Sequence, residues 1–110
     1  MASSSNVNIS TVGGGPDSSS VNVTPGTLNI SSGSSVTFID NNSGTPPDSI
    51  QVTFPGNVTC IVNGKVMSAL NVPVDGVVTA TLEGEADDNY SVVSTWGSNA
   101  KTASPIIIIE

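Results

Sequence analysis

In a chain of 110 residues, nine carboxylates stand against two lysines, with no arginine and no histidine, so the formal net charge is −7. Phosphate backbones and anionic bilayers are bound by clustered Lys and Arg, so this balance excludes nucleic acid and membrane surfaces as partners. Ser, Thr, Asn and Gly fill almost half of the chain, yet Val and Ile are plentiful, which predicts a folded, strand-rich domain with polar faces rather than a disordered linker.

This length fits one domain burying roughly two thirds of its unfolded-chain surface. Residues 1–6 are expected to be a flexible terminus and residues 7–110 a single β-sandwich domain. MASSSNVNIS has neither a basic nor an apolar signal-peptide region, so no signal peptide is expected in this chain. No apolar run reaches the roughly 18 residues of a membrane span, so the chain is expected to be soluble. Its uncharged polar composition favours an extracellular, surface or virion-associated setting. Cys60 is the single cysteine, which leaves no intrachain disulfide.

Residues 7–12 alternate well enough for a first strand, and the glycine-rich stretch 13–20 reads as a loop. Val21 and Val23 share a face, Pro25-Gly26 interrupts the run, and Leu28 and Ile30 resume it. Residues 31–35 turn the chain. Val36 and Phe38 then face one way, with Thr37 and Ile39 facing the other. Residues 40–49 read as a long loop with an Asn pair and Pro46-Pro47. Ile50, Val52 and Phe54 alternating with Gln51 and Thr53 predict a half-buried strand. Asn63-Gly64 between residues 58–62 and 65–70 is a strong hairpin signal. Residues 77–82 predict a strand, 83–89 an acidic loop, 90–96 a strand, 97–105 a loop, and 106–109 a closing strand. No window shows helical periodicity. The expected fold is an all-β Greek-key sandwich of about seven to nine strands, with an immunoglobulin-like sandwich as the alternative.

The run from Pro25 to Phe54 resembles the first half of a cupredoxin, the blue-copper sandwich. That family shows a Gly-containing turn, V-T-F, an Asn pair, Gly, and a proline before a ligand histidine and an alternating strand. Here these elements stand as SSGSSVTF, IDNNSG and TPPDSIQVTF. Tyr90-Ser91-Val92-Val93-Ser94 is similar to the family's Tyr-x-x-x-Cys. The resemblance implies a cupredoxin-like fold, but Asp48 stands at the first histidine and Ser94 at the cysteine. Type-1 copper needs two imidazoles and a thiolate. The resemblance therefore implies the scaffold without the cofactor, and no cofactor is expected.

Without histidine, Ser-His-Asp and Cys-His catalysis are unavailable, and the chain is expected not to be an enzyme. Glu83, Glu85, Asp87 and Asp88 form the densest oxygen-donor stretch and are candidates for Ca²⁺, against the plainer reading of a solvated turn. Asp40 and Asp48 offer a second, weaker set. Tyr90 and Trp96 are candidates for a sugar-binding platform, against the plainer reading of core caps. Cys60 alternates with Val58 and Val62 and reads as a buried structural thiol. Six N-x-S/T sequons, at Asn8, Asn22, Asn29, Asn41, Asn57 and Asn89, fit the Asn- and Ser/Thr-rich composition. Ile106, Ile107, Ile108 and Ile109 put apolar groups on both strand faces. They predict a covered central strand or a strand that pairs with another chain. The functional expectation is a non-catalytic structural or binding module, with self-association or a protein partner open. The alternatives are a subunit assembling through its C-terminal strand and a carbohydrate- or calcium-binding module.

Overall fold

Thirteen strands and no helix make up the regular structure of residues 4–14 and 19–110, the part described by the computed structural model. They are β1 (Ser4–Gly13), β2 (Ser20–Thr24), β3 (Thr27–Ile30), β4 (Ser34–Gly44), β5 (Ser49–Thr53), β6 (Val58–Val62), β7 (Lys65–Met67), β8 (Leu70–Asn71), β9 (Val77–Gly84), β10 (Ala86–Asn89), β11 (Ser91–Trp96), β12 (Asn99–Ala103) and β13 (Ile106–Ile109). One layer is a six-stranded sheet in the order β2-β1-β4-β9-β6-β7. The other consists of a three-stranded sheet, β10-β13-β3, and a four-stranded sheet, β12-β11-β5-β8. The chain is an all-β sandwich.

Alternation decides which side chains fill the space between the layers. Val36 and Phe38 of β4, Ile50 and Val52 of β5, and Ala80 and Leu82 of β9 are all buried, while Gln51 and Thr53 face solvent. Each of these side chains except the smaller Ala80 contributes roughly 1.5–3 kcal/mol on leaving water. Pro25 has no amide hydrogen to give to a ladder. There the chain leaves the six-stranded sheet at β2 and enters the three-stranded sheet as β3, keeping Val21, Leu28 and Ile30 buried. Asn63 and Gly64 both take positive φ, 52° and 80°, and pair Val62 with Lys65 in the expected hairpin.

Three predicted loops are strands. Residues 40–44 extend β4, because β1 offers a parallel partner along its whole length, from Ser4 opposite Ser35 to Gly13 opposite Gly44. That pairing also places residues 4–6 inside β1 rather than in a frayed end; residues 1–3 lie outside the described residues, as do residues 15–18 of the first loop. The acidic stretch contributes the end of β9 and then β10, which pairs with β13. Residues 99–103 form β12 against β11. Edge strands need only one partner and no apolar face, so β10 and β12 give no alternation to read. Conversely, predicted strand 65–70 splits into β7 and β8, which join different sheets.

β13 lies between β10 and β3, antiparallel to one and parallel to the other. Both of its edges are therefore hydrogen-bonded within the chain. This corrects the assignment of Ile106, Ile107, Ile108 and Ile109 to assembly by strand pairing, since no free edge remains there. Ile107 and Ile109 enter the core at 0% and 3% exposure, whereas Ile106 is 39% exposed. Both lysines occupy edge strands at inward-facing register positions, Lys65 opposite Val62 and Lys101 opposite Ser94. A charge there obstructs pairing with a further strand.

The four consecutive isoleucines give a direct test of this register. Ile107→Ala is expected to cost about 2–5 kcal/mol and Ile106→Ala no more than about 1 kcal/mol, read as shifts in denaturant midpoint at constant slope. Equal losses would contradict the assigned faces.

Candidate functional site

The end of the sandwich bearing Asp48 and Ser94 is where the resemblance puts metal chemistry. Asp48 follows a buried Pro47 at the start of β5. Its backbone N–H donates to Thr95 O at 2.7 Å, and its Oδ2 accepts the Gly97 N–H at 2.7 Å. The carboxylate thus holds the turn between β11 and β12, where Gly97 adopts a φ of 59°. Trp96, half-buried, donates its indole N–H to Thr45 O at 2.9 Å, and the Thr45 N–H donates to Gly13 O at 3.0 Å. A Cβ on Gly13 would stand 1.8 Å from Thr45 O and 2.8 Å from Trp96 Nε1. Only glycine admits this approach. Ser94 is fully buried, and its Oγ has no hydrogen-bond partner among the described residues. A carboxylate oxygen committed to a backbone amide and a buried neutral hydroxyl do not fit a copper that takes imidazoles and a thiolate.

The four calcium candidates do not converge on one point. Glu83 lies at the end of β9 opposite Thr59, while Asp87 and Asp88 sit on β10 opposite Ile108 and Ile107 and so project to opposite faces. Glu85 and Asp87 share a shallow groove of about 410 Å³ with Asn57, Ala86 and residues 108–110. Asp88 Oδ1 accepts the Asn89 N–H at 2.8 Å. Among the described residues no group of three or more His, Cys, Asp or Glu side chains is placed to hold a metal ion. The pair Asp40 and Asp48 is also separated in role. Asp40 is only 3% exposed. Its Oδ1 accepts Thr11 Oγ1–H at 2.9 Å and its Oδ2 accepts the Asp75 N–H at 2.8 Å. Asn42 Oδ1 is also 3.1 Å from Thr11 Oγ1. A hydroxyl has one proton, and the charged acceptor at the shorter distance holds it. Asp75 Oδ1 in turn accepts the Asn42 N–H at 2.9 Å. Asp40 ties the strand end to the turn before β9.

Tyr90 is a core residue and not a sugar platform, being 1% exposed. Its ring stacks on Phe54 at 5.7 Å, and Phe54 meets Phe38 edge-on at 6.0 Å, linking the two layers. The hydroxyl has no partner among the described residues, and burial pushes its pKa up to about 12. Trp96 is separate from this stack and engaged with Thr45. Cys60 is buried opposite Leu82, and burial raises its thiol pKa, so thiolate is suppressed. Gly13, Thr11, Thr45 and Asp75 are the residues here that the sequence reading missed. Gly13 hides in a triplet of glycines that reads as a loop, whereas Asp75-Gly76 is a turn-forming dipeptide in the sequence.

No protein-family model and no curated protein matches the sequence. Among solved structures the chain is similar to the Cu-containing nitrite reductase (NirK) from Thermus scotoductus SA-01, with a TM-score of 0.49 and 12% identity. The match covers 96% of this chain and 30% of that one.

Two substitutions probe this end and its neighbouring core. Gly13→Ala is expected to lower stability by about 1–3 kcal/mol through overpacking and to shift Trp96 fluorescence to the red as the indole is released; unchanged emission and stability would contradict the packing. Tyr90→Phe removes an unpartnered buried hydroxyl and is expected to stabilise the protein by about 1 kcal/mol at neutral pH. In the wild type, the unfolded tyrosine loses its proton near pH 10 while the folded one keeps it to about 12. Stability present in full below pH 10 is therefore lost as pH rises through 12, by about 2–3 kcal/mol. Thermal melts of both proteins across this window are expected to show a steeper alkaline loss in the wild type.

Proposed function

We propose that this chain is a non-catalytic β-sandwich serving as a structural or binding module, acting through its strand faces and not through a cleft. The observation supporting this most directly is the sealed end of the sandwich. There Asp48 Oδ2 accepts the Gly97 N–H, the Trp96 indole N–H donates to Thr45 O, and Gly13 leaves no room for a Cβ against Thr45 O and Trp96, although an open concavity of about 310 Å³ lies beside Asp48. The charged residues are similarly occupied or dispersed: Asp40 and Asp75 in a strand-to-turn network, Asp87 and Asp88 on opposite faces of an edge strand. General acid–base work needs free groups converging on one point within hydrogen-bond reach; Asp40 and Asp75 are tied to backbone amides, and Asp87 and Asp88 point apart. The reading is metal-free, with neither Ca²⁺ nor copper as a resident ion.

Any ion bound specifically by the folded state must raise stability by mass action. The melting temperature is therefore expected to be unchanged by EDTA, by excess Ca²⁺ and by Cu²⁺, with no intense visible band on copper addition. A rise of several degrees with Ca²⁺ that EDTA reverses would replace this reading with a calcium-binding one.

A further inference from the structure

We propose that the open depression where β8 meets β5 binds a small primary amine, its ammonium on Asp48 and its apolar body against Pro73 and Val74. The inference rests on the reading of the chain as a binding module and gives that module a site and a ligand class. The depression encloses about 310 Å³ and is lined by Asp48, Ser49, Ile50 and residues 71–74. That is the small end of the sizes over which ligands are held. Asp48 is the single charged residue among those lining it, and Ile50, Val72, Pro73 and Val74 make the remainder mainly apolar.

Both walls are fixed before any ligand arrives. On one side the Val72 N–H donates to Ile50 O at 2.9 Å, and the Gly76 N–H donates to Pro73 O at 3.0 Å. A Cβ on Gly76 would stand 2.8 Å from Pro73 Cβ, so the turn packs closely on the proline ring. Buried Asp40 holds this turn from behind: its N–H donates to Gly76 O at 2.9 Å, and its Oδ2 accepts the Asp75 N–H. On the other side Asp48 is held twice, its N–H by Thr95 O and its Oδ2 by the Gly97 N–H. A carboxylate oriented in this way loses little freedom on meeting a cation. Among the described residues its Oδ1 accepts no hydrogen bond, which leaves one oxygen for a ligand.

Charge selects the occupant. Asp48 has no lysine beside it: Lys65 lies on β7 in the other layer, and β11 and β5 separate β12, which carries Lys101, from β8. An anion would meet Asp48 and a net charge of −7. A bare divalent cation would find one carboxylate and no group of three acidic ligands among the described residues. A primary ammonium with a short hydrocarbon body suits both the carboxylate and the apolar wall. Ser49 and Asn71, exposed at the rim, supply acceptor oxygens for its remaining N–H groups.

Titration of the full chain with n-butylammonium, followed by amide NMR shifts, tests this. Saturable shifts are expected at the Ser49, Val72 and Val74 amides, with a Kd in the millimolar range that weakens as salt rises. Methylammonium lacks the apolar body and n-butanol the charge, and each is expected to bind at least about threefold more weakly; butyrate is expected not to bind. Asp48→Asn keeps an oxygen for the Gly97 N–H while removing the charge. It is expected to weaken n-butylammonium at least about threefold, with near-UV circular dichroism unchanged, whereas Glu85→Gln beside β10 is expected to change nothing. Shifts that do not saturate, that centre on the acids of β10, or that survive Asp48→Asn overturn the proposal. Equal binding of n-butanol also overturns it and needs no variant. These outcomes are read independently of the melts with EDTA, Ca²⁺ and Cu²⁺, so failure of this site and failure of the metal-free reading are distinguishable.

Discussion

The contact between Gly13 and the Thr45–Trp96 pair is the constraint on which this end of the molecule depends. β1 and β4 run side by side as parallel strands until Gly13 meets Gly44. The two backbones are so close there that a Cβ on Gly44 would stand 2.1 Å from Gly13 O. Thr45 then turns over Gly13, Trp96 closes on Thr45, and Asp48 fixes the turn after Trp96. Each step uses a backbone group that the previous step has positioned. A single methyl at Gly13 would interrupt the series at its first contact.

Two kinds of buried polarity flank this closure. Asp40 and Thr11 satisfy one another and the Asp75 amide, so their burial is offset by charge-assisted hydrogen bonds. Tyr90 and Ser94 instead keep hydroxyls with no partner among the described residues. Tyr90 is retained for its ring, which joins Phe54 and through it Phe38; the hydroxyl costs stability without returning it. For Ser94, on β11, nothing in the structure explains the choice of a hydroxyl over an apolar side chain.

The elements legible in the sequence were those whose own residues specify them. Ile50 and Val52 alternate with polar neighbours, and Asn63-Gly64 supplies both left-handed positions of a tight hairpin. Residues 40–44, 86–89 and 99–103 escaped because their strand character comes from a partner. Asp40 reads as a loop residue until β1 is alongside it, and the acids of β10 pair with isoleucines distant in sequence. Tyr90 and Trp96 looked alike as strand aromatics, yet one lies in the core and the other is pinned by a loop carbonyl. The side on which an aromatic falls depends on layer packing, which alternation alone does not encode.

The proposed function takes its support from the closed contact of Gly13 with Thr45 and Trp96 at this end of the sandwich. Native-state hydrogen exchange at the Trp96 indole N–H and the Gly97 amide, followed by NMR, tests this claim most directly. Both donors are hydrogen-bonded in the closed end, so both are expected to exchange at least about a hundredfold more slowly than unprotected groups. Exchange of both at the unprotected rate would mean that the end stands open, and the account of a sealed scaffold would be wrong.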